Sequence, residues 1–183
     1  MKSKPRNNDQ HVDSRWLKYG RNPLVHVALI IMLTLAAYSN TFHVPFQFDD
    51  PRSISEVPFV RDIHQFPNPL MLQRAVGFFT FALNYWLHGT DVAGYHIVNL
   101  VIHIMNAFLV YALVALSFRT PILQRSSLMR YAKQIALFTA LLFACHPIQT
   151  QAVTYIAQRF ASLATLFFLL SLVAYVRSRL PLG

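Results

Sequence analysis

The chain alternates between long apolar runs and shorter polar segments. Four runs, at about residues 24–42, 95–118, 131–145 and 160–176, are rich in Leu, Val, Ile, Phe and Ala and carry few charges. An α-helix rises about 1.5 Å per residue, so an apolar run of roughly 20 residues can cross the hydrocarbon core of a bilayer. The pattern therefore predicts an all-α, polytopic membrane helical bundle with about four transmembrane helices.

The segment between the first two runs, residues 43–94, behaves differently. Prolines break its first half into turns, whereas its second half, 70–87, is apolar. Small and polar residues recur there at helical spacing on one face: Gln73, Gly77, Thr80, Asn84 and His88. This periodicity favours an amphipathic helix that lies in the membrane interface over a fifth crossing.

The second apolar run carries a stripe of polar residues at i, i+3, i+7 and i+10, namely His96, Asn99, His103 and Asn106. Polar groups on a spanning helix avoid lipid, so the stripe should face other helices or a cavity. His96 and Asn99 lie nearest the 43–94 segment and are candidates to line a cavity. For the two deeper residues, hydrogen bonds between helices are the favoured interpretation.

Charge supplies the orientation. Only 13% of residues are charged, against about 25% in soluble domains, and the net charge is +9. Most basic residues lie in residues 1–21, in residues 119–133 and at Arg177 and Arg179. The positive-inside rule places these segments in the cytoplasm, residues 1–21 being an uncleaved basic cytoplasmic tail. It places residues 43–94 and the turn after His146 outside. No basic groove with interleaved aromatic residues is present, so no nucleic-acid partner is expected.

Asp49 and Asp50 are the first candidates for chemistry, because they follow an aromatic approach just outside the first run. A carboxylate there can deprotonate an acceptor hydroxyl, and an adjacent pair can also hold a divalent metal ion. A solvated Asp-Asp-Pro turn would explain the same residues.

Two arginines and a histidine are further candidates. Arg74 and Arg159 lie on the outer side, where a guanidinium suits the binding of a phosphate. Each can instead be a basic residue that snorkels at a helix end. His146 precedes Pro147 at the end of the third run, and it faces either a cavity mouth or the membrane interface.

Short motifs follow one another in order along residues 24–180. They are Tyr38-Ser39-Asn40, Phe46-Gln47-Phe48-Asp49-Asp50, Arg74, Phe81-Ala82-Leu83-Asn84-Tyr85-Trp86-Leu87-His88-Gly89, Gly94-Tyr95-His96-Ile97-Val98-Asn99-Leu100, His103, Leu142-Phe143-Ala144-Cys145-His146-Pro147, Ala152-Val153 and Arg159. As an ordered set they resemble the amino-terminal part of GT-C type membrane glycosyltransferases. They are similar in particular to the transmembrane and tetratricopeptide-repeat-containing O-mannosyltransferases and their bacterial relatives. Residues 22–183 are thus expected to form the N-terminal part of a GT-C-like membrane domain.

The resemblance implies an enzyme that takes a sugar from a polyprenyl-phosphate carrier in the lipid bilayer. Transfer to a protein or glycan hydroxyl would occur on the extracytoplasmic face of a bacterial inner membrane or the endoplasmic reticulum membrane. Asp49 and Asp50 match the family's catalytic or metal-associated acidic pair, and substrate would be bound by Arg74, His96, Asn99, His146 and Arg159.

Two departures from the family pattern keep an alternative open. Gln149 and Gln151 stand where relatives commonly carry an acid and a second histidine, and the family has further spans. The alternative is a non-catalytic truncated homologue or membrane subunit that associates with a partner chain, which would supply further transmembrane helices.

Overall fold

The computed structural model describes residues 22–180, and every regular element within them is helical. The α-helices are α1 (Pro23–Ala37), α2 (Asp50–Ser53), α3 (Pro58–Arg61), α4 (Ala75–His88), α5 (Val92–Ser117), α6 (Pro121–Gln124), α7 (Ala132–Cys145), α8 (Thr150–Thr154) and α9 (Arg159–Arg179). Short 3₁₀ turns separate several of them, at Thr41–His43, Ile63–Gln65, Pro69–Met71, Ser127–Tyr131, Pro147–Gln149 and Ile156–Gln158. The all-α fold class is confirmed, whereas the predicted basic tail, residues 1–21, lies outside the described residues.

Three helical stretches are long and apolar enough to cross a membrane: Val92–Ser117, Ser127–Cys145 and Ile156–Arg179. Helix α1 is also apolar but has 15 residues, about 22 Å of helix. It ends at Ala37, five residues before the predicted limit, because the hydroxyl of Ser39 donates to the Ala36 carbonyl and the chain turns. Three of the four predicted spans are thus matched by helices of sufficient length, and the shorter α1 lies where the first was predicted. The protein is an integral membrane helical bundle.

Helix α5 is central and packs against α9, α7 and α1. Its contact with α7 is close because α7 buries alanine at every fourth position, namely Ala132, Ala136, Ala140 and Ala144. The polar stripe of α5 faces these neighbours. His103 Nε2 donates to the Ala144 carbonyl at 2.9 Å, and Asn106 Nδ2 donates to the Ser162 carbonyl at 3.1 Å. The prediction of interhelical hydrogen bonds for these two residues is confirmed.

Helix α4 is amphipathic, as its periodicity indicated, but it starts at Ala75 rather than near residue 70. A 3₁₀ turn precedes it, and Arg74 enters the helix with a left-handed backbone (φ 60°). Gly77 and Asn84 are buried against the bundle, whereas Trp86 and Leu87 on the other side are exposed. The side of α4 that meets the bundle therefore combines Gly77 and Asn84 with the apolar Phe81 and Ala82, which the periodicity did not place on one face with them.

The loops after α1 and α7 meet at one end of the bundle. The hydroxyls of Thr41 and Thr154 lie 2.6 Å apart, and His96 Nε2 donates to the Val44 carbonyl at 2.8 Å. Residues 118–131 connect the far ends of α5 and α7, so they lie at the opposite end. The acidic segment and the turn after His146 share one end of the molecule, as the charge pattern predicted.

Candidate functional site

An open cavity of about 510 Å³ lies at the end of the bundle where these loops meet. We call it the charged cavity, and it is lined by Asp49, Ser53, Arg74, Tyr155, Ala157, Gln158, Phe160, Ala161 and Ala164. Two of the predicted site residues, Asp49 and Arg74, therefore face one space although 25 positions separate them in the sequence. The cavity combines a base, a cation and polar side chains beside a spanning helix.

Asp49 is the accessible carboxylate. Its side chain is 65% exposed, and it lies 3.8 Å from Arg52 in a solvated ion pair. Such exposed pairs are weak, so Asp49 remains available to a ligand. Its backbone N–H donates to the Tyr155 hydroxyl at 3.2 Å, and the preceding Phe48 stacks edge-on against the Tyr155 ring at 5.8 Å. Tyr155 thus fixes the turn that presents Asp49.

Asp50 is 1% exposed, and backbone donors occupy both of its oxygens. Oδ2 accepts from the Gln47 N–H at 2.8 Å, and Oδ1 accepts from the Ala157 N–H at 2.6 Å. Burial raises the pKa of the Asp50 carboxyl above its usual value, while these donors and the nearby His96 act to lower it. Asp50 does not line the charged cavity but ties the Asp49 turn to the chain just before α9.

The different environments of the two carboxylates bear on the predicted metal ion. Divalent cations such as Mg²⁺ and Ca²⁺ take six or more oxygen ligands. Asp49 offers an accessible carboxylate, whereas the oxygens of Asp50 are engaged by backbone N–H groups. Within residues 22–180 no group of three or more His, Cys, Asp or Glu side chains could hold a metal. These residues do not by themselves fit a metal centre, and no chemical step is derived through one.

Arg74 provides the cation of the charged cavity. Its guanidinium lies over the Phe160 ring, 5.3 Å from the centroid, which orients the side chain towards α9 by a cation–π contact. It is exposed and makes no hydrogen bond to another residue of the described range 22–180, so its fork of N–H donors is available to an anion. Bidentate recognition of a phosphate is the interaction that this group performs best.

Arg159 is fully buried at the start of α9 and does not reach the charged cavity. Its Nε donates to Asn99 Oδ1 and its Nη1 to Asn84 Oδ1, both at 2.7 Å. Its Nη2 donates to the Tyr95 carbonyl at 2.9 Å, and the guanidinium lies 4.3 Å from the Phe81 ring centroid. Arg159 therefore joins α4, α5 and α9 from the inside.

The other predicted site residues also lie outside the charged cavity. His96 and Asn99 are fully buried, His96 holding the Val44 carbonyl and Asn99 accepting from Arg159. His146 is exposed, and its Nδ1 accepts from the Ile148 N–H at 3.2 Å, which caps the turn after α7. The geometry thus gives Asp49 and Arg74 direct access to a ligand, whereas His96, Asn99 and Arg159 support the framework around them.

The chain is similar to curated proteins of the same group that the ordered motifs resemble. A protein O-mannosyl-transferase of Caenorhabditis elegans is 31% identical over 170 residues, which is 84% of this chain and 23% of that protein. Protein O-mannosyl-transferase TMTC3 of Mus musculus is 31% identical over 173 residues, 85% of this chain and 17% of that protein. The chain is a homologue of the protein O-mannosyl-transferases. The resemblance inferred from the motifs is confirmed, and the chain spans less than a quarter of the length of these relatives.

Another relative of this group, protein O-mannosyl-transferase TMTC1 of Homo sapiens, is 37% identical over 100 residues, which is 54% of this chain and 10% of that protein. No family model and no solved structure matches the chain significantly.

Sequence reasoning missed Tyr155, Gln158 and Phe160, which line the charged cavity with Asp49 and Arg74. Their only sequence signal is position. They lie between the third and fourth apolar runs, in the short turn that charge counting places on the same side as the acidic segment. Two loops on one side of a small bundle are expected to touch, so the aromatic and amide residues of this turn are the signal that points to the site in this O-mannosyl-transferase homologue.

Proposed function

We propose that the protein is an integral membrane glycosyltransferase that moves a sugar from a polyprenyl-phosphate carrier to a hydroxyl of an acceptor protein. The reaction occurs at the extracytoplasmic face of a bacterial inner membrane or the endoplasmic reticulum membrane, and the N-terminus is cytoplasmic. The observation that carries the proposal is that Asp49 and Arg74 line one cavity beside a spanning helix. The printed names of the relatives, protein O-mannosyl-transferases, support the reaction class.

The two residues have separate parts in this reaction. Arg74 binds the phosphate of the carrier, whose lipid tail lies in the bilayer. Asp49 accepts the proton of the acceptor hydroxyl while the oxygen of that hydroxyl forms a bond to the anomeric carbon of the sugar. The bond between that carbon and the phosphate oxygen breaks, and polyprenyl phosphate leaves with its new negative charge stabilised by Arg74.

The test measures sugar transfer from polyprenyl-phosphate sugars by the full-length protein with Asp49→Asn and Asp50→Asn. Asp49→Asn should lower kcat by about 100-fold or more, because the general base is lost, with unchanged stability. Asp50→Asn should instead lower the free energy of unfolding by about 1–3 kcal/mol, because an amide cannot accept both backbone N–H groups. Glu56→Gln, an exposed acid of the same segment, is the matched control and should change neither quantity.

Unchanged kcat in Asp49→Asn would overturn the assignment of the base. The second candidate function, a non-catalytic membrane subunit, is favoured by Gln149 and Gln151, which depart from the pattern that the family resemblance leads us to expect. It predicts no transfer by the wild-type protein and co-purification with a chain that supplies further transmembrane helices.

A further inference from the structure

A second cavity, of about 350 Å³, adjoins the charged cavity. Its lining includes Gln47, Phe48, Gln151, Thr154, Tyr155 and Gln158, and no lining side chain carries a formal charge. We call it the neutral cavity. Amide and hydroxyl side chains both donate and accept hydrogen bonds, so this lining suits an uncharged polar ligand and offers nothing to neutralise a phosphate.

The two cavities share Tyr155 and Gln158. Tyr155 accepts a hydrogen bond from the Asp49 N–H, so the proposed base lies next to the wall between them. A ligand in the charged cavity and a ligand in the neutral cavity would therefore approach Tyr155 from its two sides. Group transfer needs this arrangement, because two substrates must meet at one base without occupying one space.

Phe48 gives the neutral cavity a feature that the fold alone does not explain. It is 85% exposed and has a left-handed backbone (φ 46°), which is a genuine outlier for a bulky residue. Such strain persists where the surrounding structure enforces it, and it is concentrated at binding and catalytic sites. Here the strained turn holds the Phe48 ring at the cavity instead of burying it, so the ring is available to contact a ligand.

We propose that the neutral cavity binds the acceptor, as an uncharged peptide segment that carries a serine or threonine hydroxyl. The glutamine side chains pair with peptide N–H and C=O groups, Phe48 packs on the segment, and the hydroxyl reaches past Tyr155 to Asp49. The carrier phosphate stays in the charged cavity with Arg74. This inference rests on the proposed function, because it assigns a subsite to the second substrate of that reaction.

The experiment determines two Michaelis constants for the full-length protein in detergent, one for a neutral serine- or threonine-containing peptide and one for the polyprenyl-phosphate sugar. Phe48→Ala and Gln151→Ala should each raise the acceptor KM about tenfold and change the donor KM less than twofold, because both side chains line the neutral cavity and neither lines the charged cavity. Both positions are exposed, so the variants should fold. Phe168→Ala and Gln124→Ala, exposed residues that line neither cavity, are the matched controls.

Each other outcome has a distinct meaning. Unchanged acceptor KM in both variants, or a changed donor KM instead, would overturn the subsite while the proposed function stands. A rise in KM for a glycan acceptor but not for the peptide would overturn the assignment of a peptide. Absence of donor consumption by the wild-type protein with every acceptor would overturn the proposed function itself and this inference with it.

Discussion

Arg159 shows how one residue holds the framework together. A buried charge is costly unless its hydrogen-bonding groups are satisfied. Here the guanidinium meets amide and carbonyl oxygens of Asn84, Asn99, Thr80 and Tyr95 and forms no ion pair within residues 22–180. The cation therefore acts as a branched donor that satisfies acceptors on α4 and α5 at once, and those acceptors depend on it in return.

Arg159→Met is the residue-scale prediction. It leaves the side-chain oxygens of Asn84 and Asn99 buried without this donor and should lower the free energy of unfolding by about 1–3 kcal/mol for each of them. Arg159→Lys keeps the charge but lacks the fork that reaches both amides, so an intermediate loss is expected. The measurement is the temperature at which the detergent-purified protein loses its monodisperse peak. Arg52→Met, at an exposed arginine, is the control, and equal stability of Arg159→Met and wild type would contradict the proposed role.

Asp49 and Asp50 show what residue types alone could and could not tell. Their position after an aromatic approach singles out the pair, but the sequence does not distinguish the environment of one carboxylate from that of the other. Their environments differ because Asp50 accepts from the Ala157 N–H, 107 positions away in the sequence. Burial of this kind depends on tertiary contact, which no local pattern encodes.

At the scale of elements, the sequence predicts the helical periodicity of α4 but not the direction in which its polar face points. The recurrence of Gly77, Thr80 and Asn84 predicted one polar face, and an interfacial position left open which way that face pointed. In the structure the face meets Arg159 and Phe160. A Cβ built on Gly77 would collide with the Phe160 ring, so glycine allows α4 and α9 to approach closely.

Gly77→Ala tests this contact. The added methyl should displace Phe160, which carries the cation–π contact to Arg74 and lines the charged cavity. We expect a loss of about 1–3 kcal/mol in the free energy of unfolding and a several-fold rise in donor KM. Phe160→Leu should by itself weaken the Arg74 contact, yet in the double variant it should relieve the steric clash. A double variant whose unfolding free energy shows only the sum of the two single losses would argue against direct contact.

At the scale of the whole molecule, hydropathy predicted an apolar helix in each of the four runs, three of which are long enough to cross a membrane, and charge predicted which loops share an end. They succeeded because lipid imposes the same length and polarity on every spanning helix. The cavities escaped sequence reasoning because they form between side chains far apart in the chain, such as Asp49 and Tyr155. Sequence patterns therefore identify single candidate residues, but they do not show which of these residues line the same cavity.

The orientation of the bundle is the whole-molecule prediction. Single cysteines are introduced at Gln73, before α4, and at Arg125, between α6 and the 3₁₀ turn that follows it, in a Cys145→Ser background. Both positions are exposed. Because the positive-inside rule puts the basic 119–133 segment in the cytoplasm, a membrane-impermeant maleimide added to the extracytoplasmic side should label Gln73→Cys and leave Arg125→Cys unmodified until detergent is added.

Labelling in the opposite sense would place the charged cavity on the cytoplasmic face, where the proposed reaction does not occur. Labelling of both positions from one side would require an odd number of additional crossings between residues 73 and 125. Such a crossing would have to be made by α4, whose buried face meets Arg159. The experiment therefore tests the side of the membrane on which Asp49 and Arg74 act together with the non-crossing assignment of α4.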